Sequence, residues 1–130
     1  GRILLVEDED MVRAVAERAL TRQGYSVVAA SEGEEALGLL AEQADKEEQF
    51  DMIVSDVVMP NMDGPTMARH VRKNYPDLPI LFMSGYAEEQ LRKSIDLDKV
   101  NFLPKPFSVA QLAEAVGETL AEHAKPDRNR

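Results

Sequence analysis

The chain has 130 residues, with 15 lysines and arginines against 24 aspartates and glutamates, a formal net charge of −9, and no cysteine. That length fits one compact domain that buries roughly two-thirds of its unfolded surface without a disulfide or metal staple. The missing thiols exclude cysteine nucleophiles and cysteine-ligated zinc or iron–sulfur centres, and the negative balance argues against nucleic acid as a partner.

Apolar runs such as Ile3–Val6 and Ile80–Met83 are far shorter than a membrane span or a signal-peptide core, so a soluble, cytoplasmic domain without membrane contact of its own is expected. The chain opens on Gly1 rather than Met, which reads as a domain cut from a longer parent, itself open to a membrane anchor.

Ile3-Leu4-Leu5-Val6 is an unalternating run of strand length, the pattern of a strand buried on both faces. Val12, Val15, Ala16, Ala19 and Leu20 then form a helical apolar stripe that ends at Gly24. Ser26–Ala30 reads as a second strand, followed by an N-cap at Ser31 with Glu34 three residues on, and a helix burying Ala36, Leu37, Leu40 and Ala41. The charged stretch Glu42–Gln49, including the run Asp45–Glu48, covers a helix end or a solvated loop. Met52–Val54 is the third strand, Pro60–Pro65 a turn-rich loop, and Thr66–Asn74 a helix stopped before Tyr75-Pro76. Ile80–Met83 is the fourth strand, and a helix is expected around Ala87–Ser94. The fifth strand is Val100–Leu103, and a last helix starts at Ser108 with Val109, Leu112, Ala113, Val116 and Leu120 on one face. Residues 1–124 form the domain and 125–130 a polar tail.

Strands alternating with helices predict a parallel α/β sheet with right-handed crossovers, and such sheets bind ligands outside the carboxyl ends of their strands. The polar residues there are Glu7 and Asp8 after the first strand, Asp56 after the third, Ser84 after the fourth and Lys105 after the fifth. Clustered carboxylates repel one another unless a cation joins them, and a hard divalent ion such as Mg²⁺ suits a few oxygen ligands plus phosphate; Mn²⁺ is an acceptable substitute. Lys105 adds a second positive charge and Ser84 a hydroxyl donor. His70 and His123 fall in helical patterns and read as surface residues, and Met59, Met62 and Met67 as packing.

Val6-Glu7-Asp8, Ser55 to Gly64, Met83-Ser84-Gly85 and Leu103-Pro104-Lys105-Pro106-Phe107 together resemble the signature segments of two-component receiver domains, over about residues 2–122 and in the same order. The resemblance implies a flavodoxin-like doubly wound fold, a three-layer sandwich of five parallel strands in the order 2-1-3-4-5 with five helices. It implies that Asp56 accepts a phosphoryl group and that Mg²⁺ is held by Asp8, Asp56 and the Val58 backbone carbonyl, with Glu7 acting through water. Lys105 and Ser84 would contact phosphoryl oxygens, and Phe102 would be a switch aromatic responding to Ser84. Lys105-Pro106 is expected to be cis. Val58 and Tyr86 flank the path of an attacking water and would tune the lifetime of the phosphoaspartate, while Gly85 leaves room for a partner's histidine. Implied partners are a histidine kinase or a histidine phosphotransferase, and the domain is expected to be a monomer or weak dimer. Arg13, Arg18 and Arg22 could help dock a partner.

The wording Val6-Glu7-Asp8-Glu9 and Ser84-Gly85-Tyr86 is similar to receivers at the end of hybrid histidine kinases of the bacterial cell-cycle type, with a stand-alone response regulator as the alternative. A phosphatase of the haloacid-dehalogenase type would need a second Asp two residues after the nucleophile, where Val58 stands. An FMN site is disfavoured because Glu7-Asp8-Glu9-Asp10 would repel the phosphate.

Overall fold

A computed structural model describes residues 1–44, 49–85 and 99–122. Within them, strands β1 (Arg2–Val6), β2 (Ser26–Ala30), β3 (Met52–Asp56), β4 (Ile80–Ser84) and β5 (Val100–Pro104) form one parallel sheet in the order β2-β1-β3-β4-β5. The expected strand order is therefore present. Helices α1 (Asp10–Arg22), α2 (Gly33–Ala44), α3 (Gly64–Asn74) and α4 (Val109–Glu122) cover it, four among the described residues against five expected. The helix expected around Ala87–Ser94 lies outside the described residues, as do the run Asp45–Glu48, Tyr86, His123 and the tail 125–130.

Successive side chains of a strand point to opposite faces, so the unalternating apolar runs fill two cores. Leu4, Val6, Ile53, Ile80 and Phe82 face α2 and α3, meeting Ala36, Leu40, Met67 and Val71. Ile3, Leu5, Val54, Leu81 and Met83 face the other way, against Ala16 and Leu20 of α1 and Leu112 and Val116 of α4. Each fully buried aliphatic side chain contributes about 1.5–3 kcal/mol of transfer free energy. The result is the three-layer sandwich that the runs imply.

The strands run further than their apolar letters. β3 continues through Ser55 and Asp56, and β4 through Ser84, because ladder pairing such as Asp56 with Met83 and Ser84 with Pro104 persists past the last hydrophobic residue. Asp56 and Ser84 are thus terminal strand residues rather than loop residues, which fixes their backbones.

Helix boundaries follow local chemistry. α1 ends as expected at Gly24, whose φ of +97° suits glycine, with Gly24 N donating to Thr21 O at 3.0 Å. α2 begins at Gly33, two residues after Ser31; Glu35, not Glu34, reaches back to accept from both the N–H and Oγ of Ser31. α3 starts two residues earlier than expected. Asp63 caps it by accepting from Thr66 N at 2.9 Å, and Pro65 occupies its first turn, where no N–H is needed. Ser108 and Gln111 cap α4 reciprocally, Ser108 Oγ accepting at 3.1 Å and Gln111 Oε1 at 2.7 Å. Three apolar-face assignments differ from expectation: Val15, Val109 and Ala41 are exposed, Val15 and Val109 because they line an open groove between α1 and α4 rather than the sheet. Thr119, an unexpected residue, is buried in α4 and accepts from Asn101 Nδ2 at 3.0 Å.

Candidate functional site

The carboxyl ends of β1, β3, β4 and β5 bring Glu7, Asp8, Asp56, Ser84 and Lys105 to one edge of the sheet. Glu7, Asp8 and Asp56 each present a carboxylate oxygen such that these atoms lie within 4.8 Å of one another. Asp56 is buried. Its Oδ1 accepts from Val57 N at 2.8 Å and its Oδ2 from Lys105 Nζ at 3.1 Å. That pair spans β4, since Lys105 follows β5.

Glu7 is fully buried. Its Oε2 accepts from Glu9 N at 3.0 Å, while its Oε1 has no hydrogen-bond partner among the described residues and lies 4.0 Å from Lys105 Nζ. Burial first, then the charge of Asp56, push the Glu7 carboxyl up from 4.5 to about 7, against the pull of the Glu9 N–H and Lys105. Three carboxylates facing one lysine leave an excess of negative charge. A buried carboxylate oxygen without a partner costs free energy unless something meets it. The donor set is all hard oxygen, with no sulfur or imidazole, so the cluster suits a hard divalent cation better than zinc or copper.

The remaining expected residues fall around this cluster. Ser84 is buried at the end of β4, and its carbonyl accepts from Lys105 N at 2.6 Å, which ties the lysine's backbone to the serine's strand. The Lys105-Pro106 peptide is cis, as expected. Val58 is 59% exposed between buried Val57 and Met59, whose side chains turn inward and hold Val58 outward. Gly85 is exposed, with nothing among the described residues within 4 Å of where a Cβ would stand. Phe102 is half-buried and stacks on Phe82, with ring centroids 5.9 Å apart and an interplanar angle of 27°. Tyr86 lies outside the described residues.

Gly64 was not singled out from the sequence, and Arg13 was singled out for a different role. A Cβ on Gly64 would lie 2.7 Å from both Asp56 O and Phe82 Cε1, so only glycine lets α3 approach the end of β3 this closely; Gly64 N also donates to Val57 O at 2.8 Å. The readable signal was Asp63-Gly64-Pro65-Thr66, an N-cap pattern. Arg13, one of three arginines that could help dock a partner, bonds to its own loop: Nη1 donates to Glu7 O at 2.8 Å and Nη2 to Asp10 Oδ1 at 2.5 Å.

Comparison with known proteins agrees with this geometry. The family model for the response regulator receiver domain matches residues 3–117. The sensor kinase CckA of Brucella abortus (strain 2308) is 50% identical over 119 residues, 91% of this chain but 12% of that protein. Response regulator MprA of Mycobacterium leprae (strain TN) is 36% identical over 127 residues, 97% of this chain and 53% of that protein. This chain thus spans about an eighth and about half of those relatives. A crystal structure of the receiver domain from the hybrid histidine kinase CckA superposes with a TM-score of 0.77 at 44% identity, covering 92% of this chain and 99% of that one. A receiver protein from Sinorhizobium medicae WSM419 does so with a TM-score of 0.81 at 32% identity, covering 94% and 95%. No described helix is long and apolar enough to cross a membrane. With its strand order, its acidic edge and these similarities, the chain belongs to the response regulator receiver domain family of two-component systems.

Proposed function

We propose that this receiver accepts a phosphoryl group on Asp56 from a phosphohistidine, in a reaction that depends on Mg²⁺. The observation that carries the reading is the convergence of Asp56 with Lys105, Glu7 and Asp8. An Asp56 oxygen attacks phosphorus, the O–P bond forms as the P–N bond breaks, and the bonding pair returns to the donor's imidazole, which leaves neutral with the proton already on its other ring nitrogen. Asp8, Asp56 and the Val58 carbonyl would hold the ion, with Glu7 reaching it through water; once bound, it neutralises charge on the carboxylates and phosphoryl oxygens. Lys105 supplies a fixed positive charge on the side of Asp56 Oδ2, and the Ser84 hydroxyl a donor from the neighbouring strand end. Exposed Val58 hinders water beside the nucleophile and, with Tyr86, sets the lifetime of the acyl phosphate. Open space at Gly85 admits the donor's imidazole.

The partners of a two-component receiver are histidine kinases and phosphotransfer proteins. The 50% identity to CckA supports placing this domain in a hybrid kinase that relays phosphate to a histidine phosphotransferase. Phosphorylation would then change the setting of Ser84 and Phe102, the latter now resting on Phe82.

The test uses acetyl phosphate as donor and the intact mass as readout. One phosphoryl adduct is expected with Mg²⁺ and none after chelation. Adduct formation that ignores the metal would overturn the mechanism.

A further inference from the structure

We propose that Arg13 is a positioning residue for the metal-binding carboxylates, acting through the loop that carries Glu7 and Asp8; this rests on the metal-dependent reading above. Four consecutive acids, Glu7-Asp8-Glu9-Asp10, leave β1 and enter α1. Their mutual repulsion drives such a loop open unless something ties it. Arg13, one turn into α1, folds back over it. One nitrogen of its guanidinium takes the Glu7 carbonyl and another takes Asp10 Oδ1.

The Glu7 carbonyl belongs to the peptide that joins Glu7 to Asp8. Holding it fixes the plane from which both side chains leave the backbone, and so the separation of their carboxylates. The Arg13 side chain is 22% exposed against 89% for Asp10, so most of it is covered while its two bonds hold the loop. Two further bonds close the stitch, Glu9 N to Glu7 Oε2 and Arg13 N to Glu9 O at 2.9 Å. A planar fork with two donors sets an angle as well as a distance, which a lysine ammonium at the same place does not.

Charge and position predict opposite results. If Arg13 mattered only as a positive charge, removing it would strengthen Mg²⁺ binding, and Arg13→Lys would leave binding unchanged. If it positions the loop, Arg13→Ala and Arg13→Lys both weaken Mg²⁺ binding, by about tenfold on the scale of outer-sphere partners of metal ligands. The experiment measures Mg²⁺ affinity by calorimetry at low and high salt, together with the Mg²⁺ dependence of labelling by acetyl phosphate. Urea unfolding checks that each variant folds. The expected outcome is about a tenfold rise in half-saturating Mg²⁺ for both variants at either salt concentration. Asp10→Ala, at an exposed position safe for folding, should show a smaller rise. Unchanged or tighter binding in Arg13→Ala, or wild-type binding in Arg13→Lys, overturns the proposal. Failure of the wild type itself to bind Mg²⁺ or to be labelled overturns the proposed function instead.

Discussion

Lys105 Nζ donates to Asp56 Oδ2 at 3.1 Å, a contact between residues 49 apart in the chain, one ending β3 and the other following β5, with β4 between those strands. The parallel topology makes it possible, because every strand ends at the same edge. The bonds from Lys105 N to Ser84 O and from Val57 N to Asp56 Oδ1 fix the backbones on either side. Lys105→Met should therefore lower the maximal rate of labelling by acetyl phosphate by about 10²-fold or more, the scale of losing one fixed donor to a developing anion. Mg²⁺ affinity should hold or rise, since a competing cation is removed. Stopped-time labelling across Mg²⁺ concentrations separates the two effects.

Gly64 and Gly38 make an internal contrast. A methyl group at Gly64 would meet the Asp56 carbonyl and the Phe82 ring, neither of which can retreat from a packed sheet, whereas Gly38 in α2 has open space around it. Gly64→Ala should destabilise the fold by about 1–3 kcal/mol, and Gly38→Ala should stabilise it by about 0.5–1 kcal/mol through helix propensity. Urea unfolding at neutral pH measures both.

The α3 cap predicts a pH dependence. Hydrogen bonds from Thr66 hold the Asp63 carboxyl below its ordinary value. A depressed folded-state value means that the contribution is complete above the unfolded value and fades as pH falls through the folded one. Asp63→Ala should cost about 1 kcal/mol at pH 7. The gap between wild type and variant should close in acid, which thermal unfolding at a series of pH values would record.

Glu7 has the opposite sign. Burial raises its folded-state value to about 7, so ionisation opposes folding, and stability in a chelator should decline as pH rises from the unfolded value through 7. Glu7→Gln should remove that decline. Adding Mg²⁺ to the wild type should restore stability, by about 2.7 kcal/mol at a hundredfold excess over its dissociation constant, and Asp8→Asn should blunt the gain. Calorimetric melting with and without metal checks each step.

The strands and most of the acidic edge were legible because they depend on patterns local in sequence, whereas the order of the strands came from the resemblance to receiver domains. Apolar runs of strand length name the strands, and the polar residues after Val6, Val54, Met83 and Leu103 follow from them. What escaped depends on contacts between distant segments. Nothing in the letters Gly64 shows that Asp56 O stands where its Cβ would be. An arginine three residues into a helix reads as solvent-facing, and only the fold brings the Glu7 carbonyl under Arg13. Asp56 and Ser84 fall after the apolar runs Met52–Val54 and Ile80–Met83, yet end the strands, because polar side chains interrupt the run while the ladder continues. The stacking of Phe102 on Phe82 likewise follows from register between β4 and β5.

The most direct test of the central claim is where the phosphoryl group goes. Protein labelled by acetyl phosphate in Mg²⁺ is reduced with borohydride, which converts an acyl phosphate to an alcohol, and the peptides are then mapped by mass. A single reduced carboxyl at Asp56, absent from Asp56→Asn, is the predicted result. Reduction at Asp8 or Glu7, or a borohydride-resistant phosphate on Ser84, would contradict it.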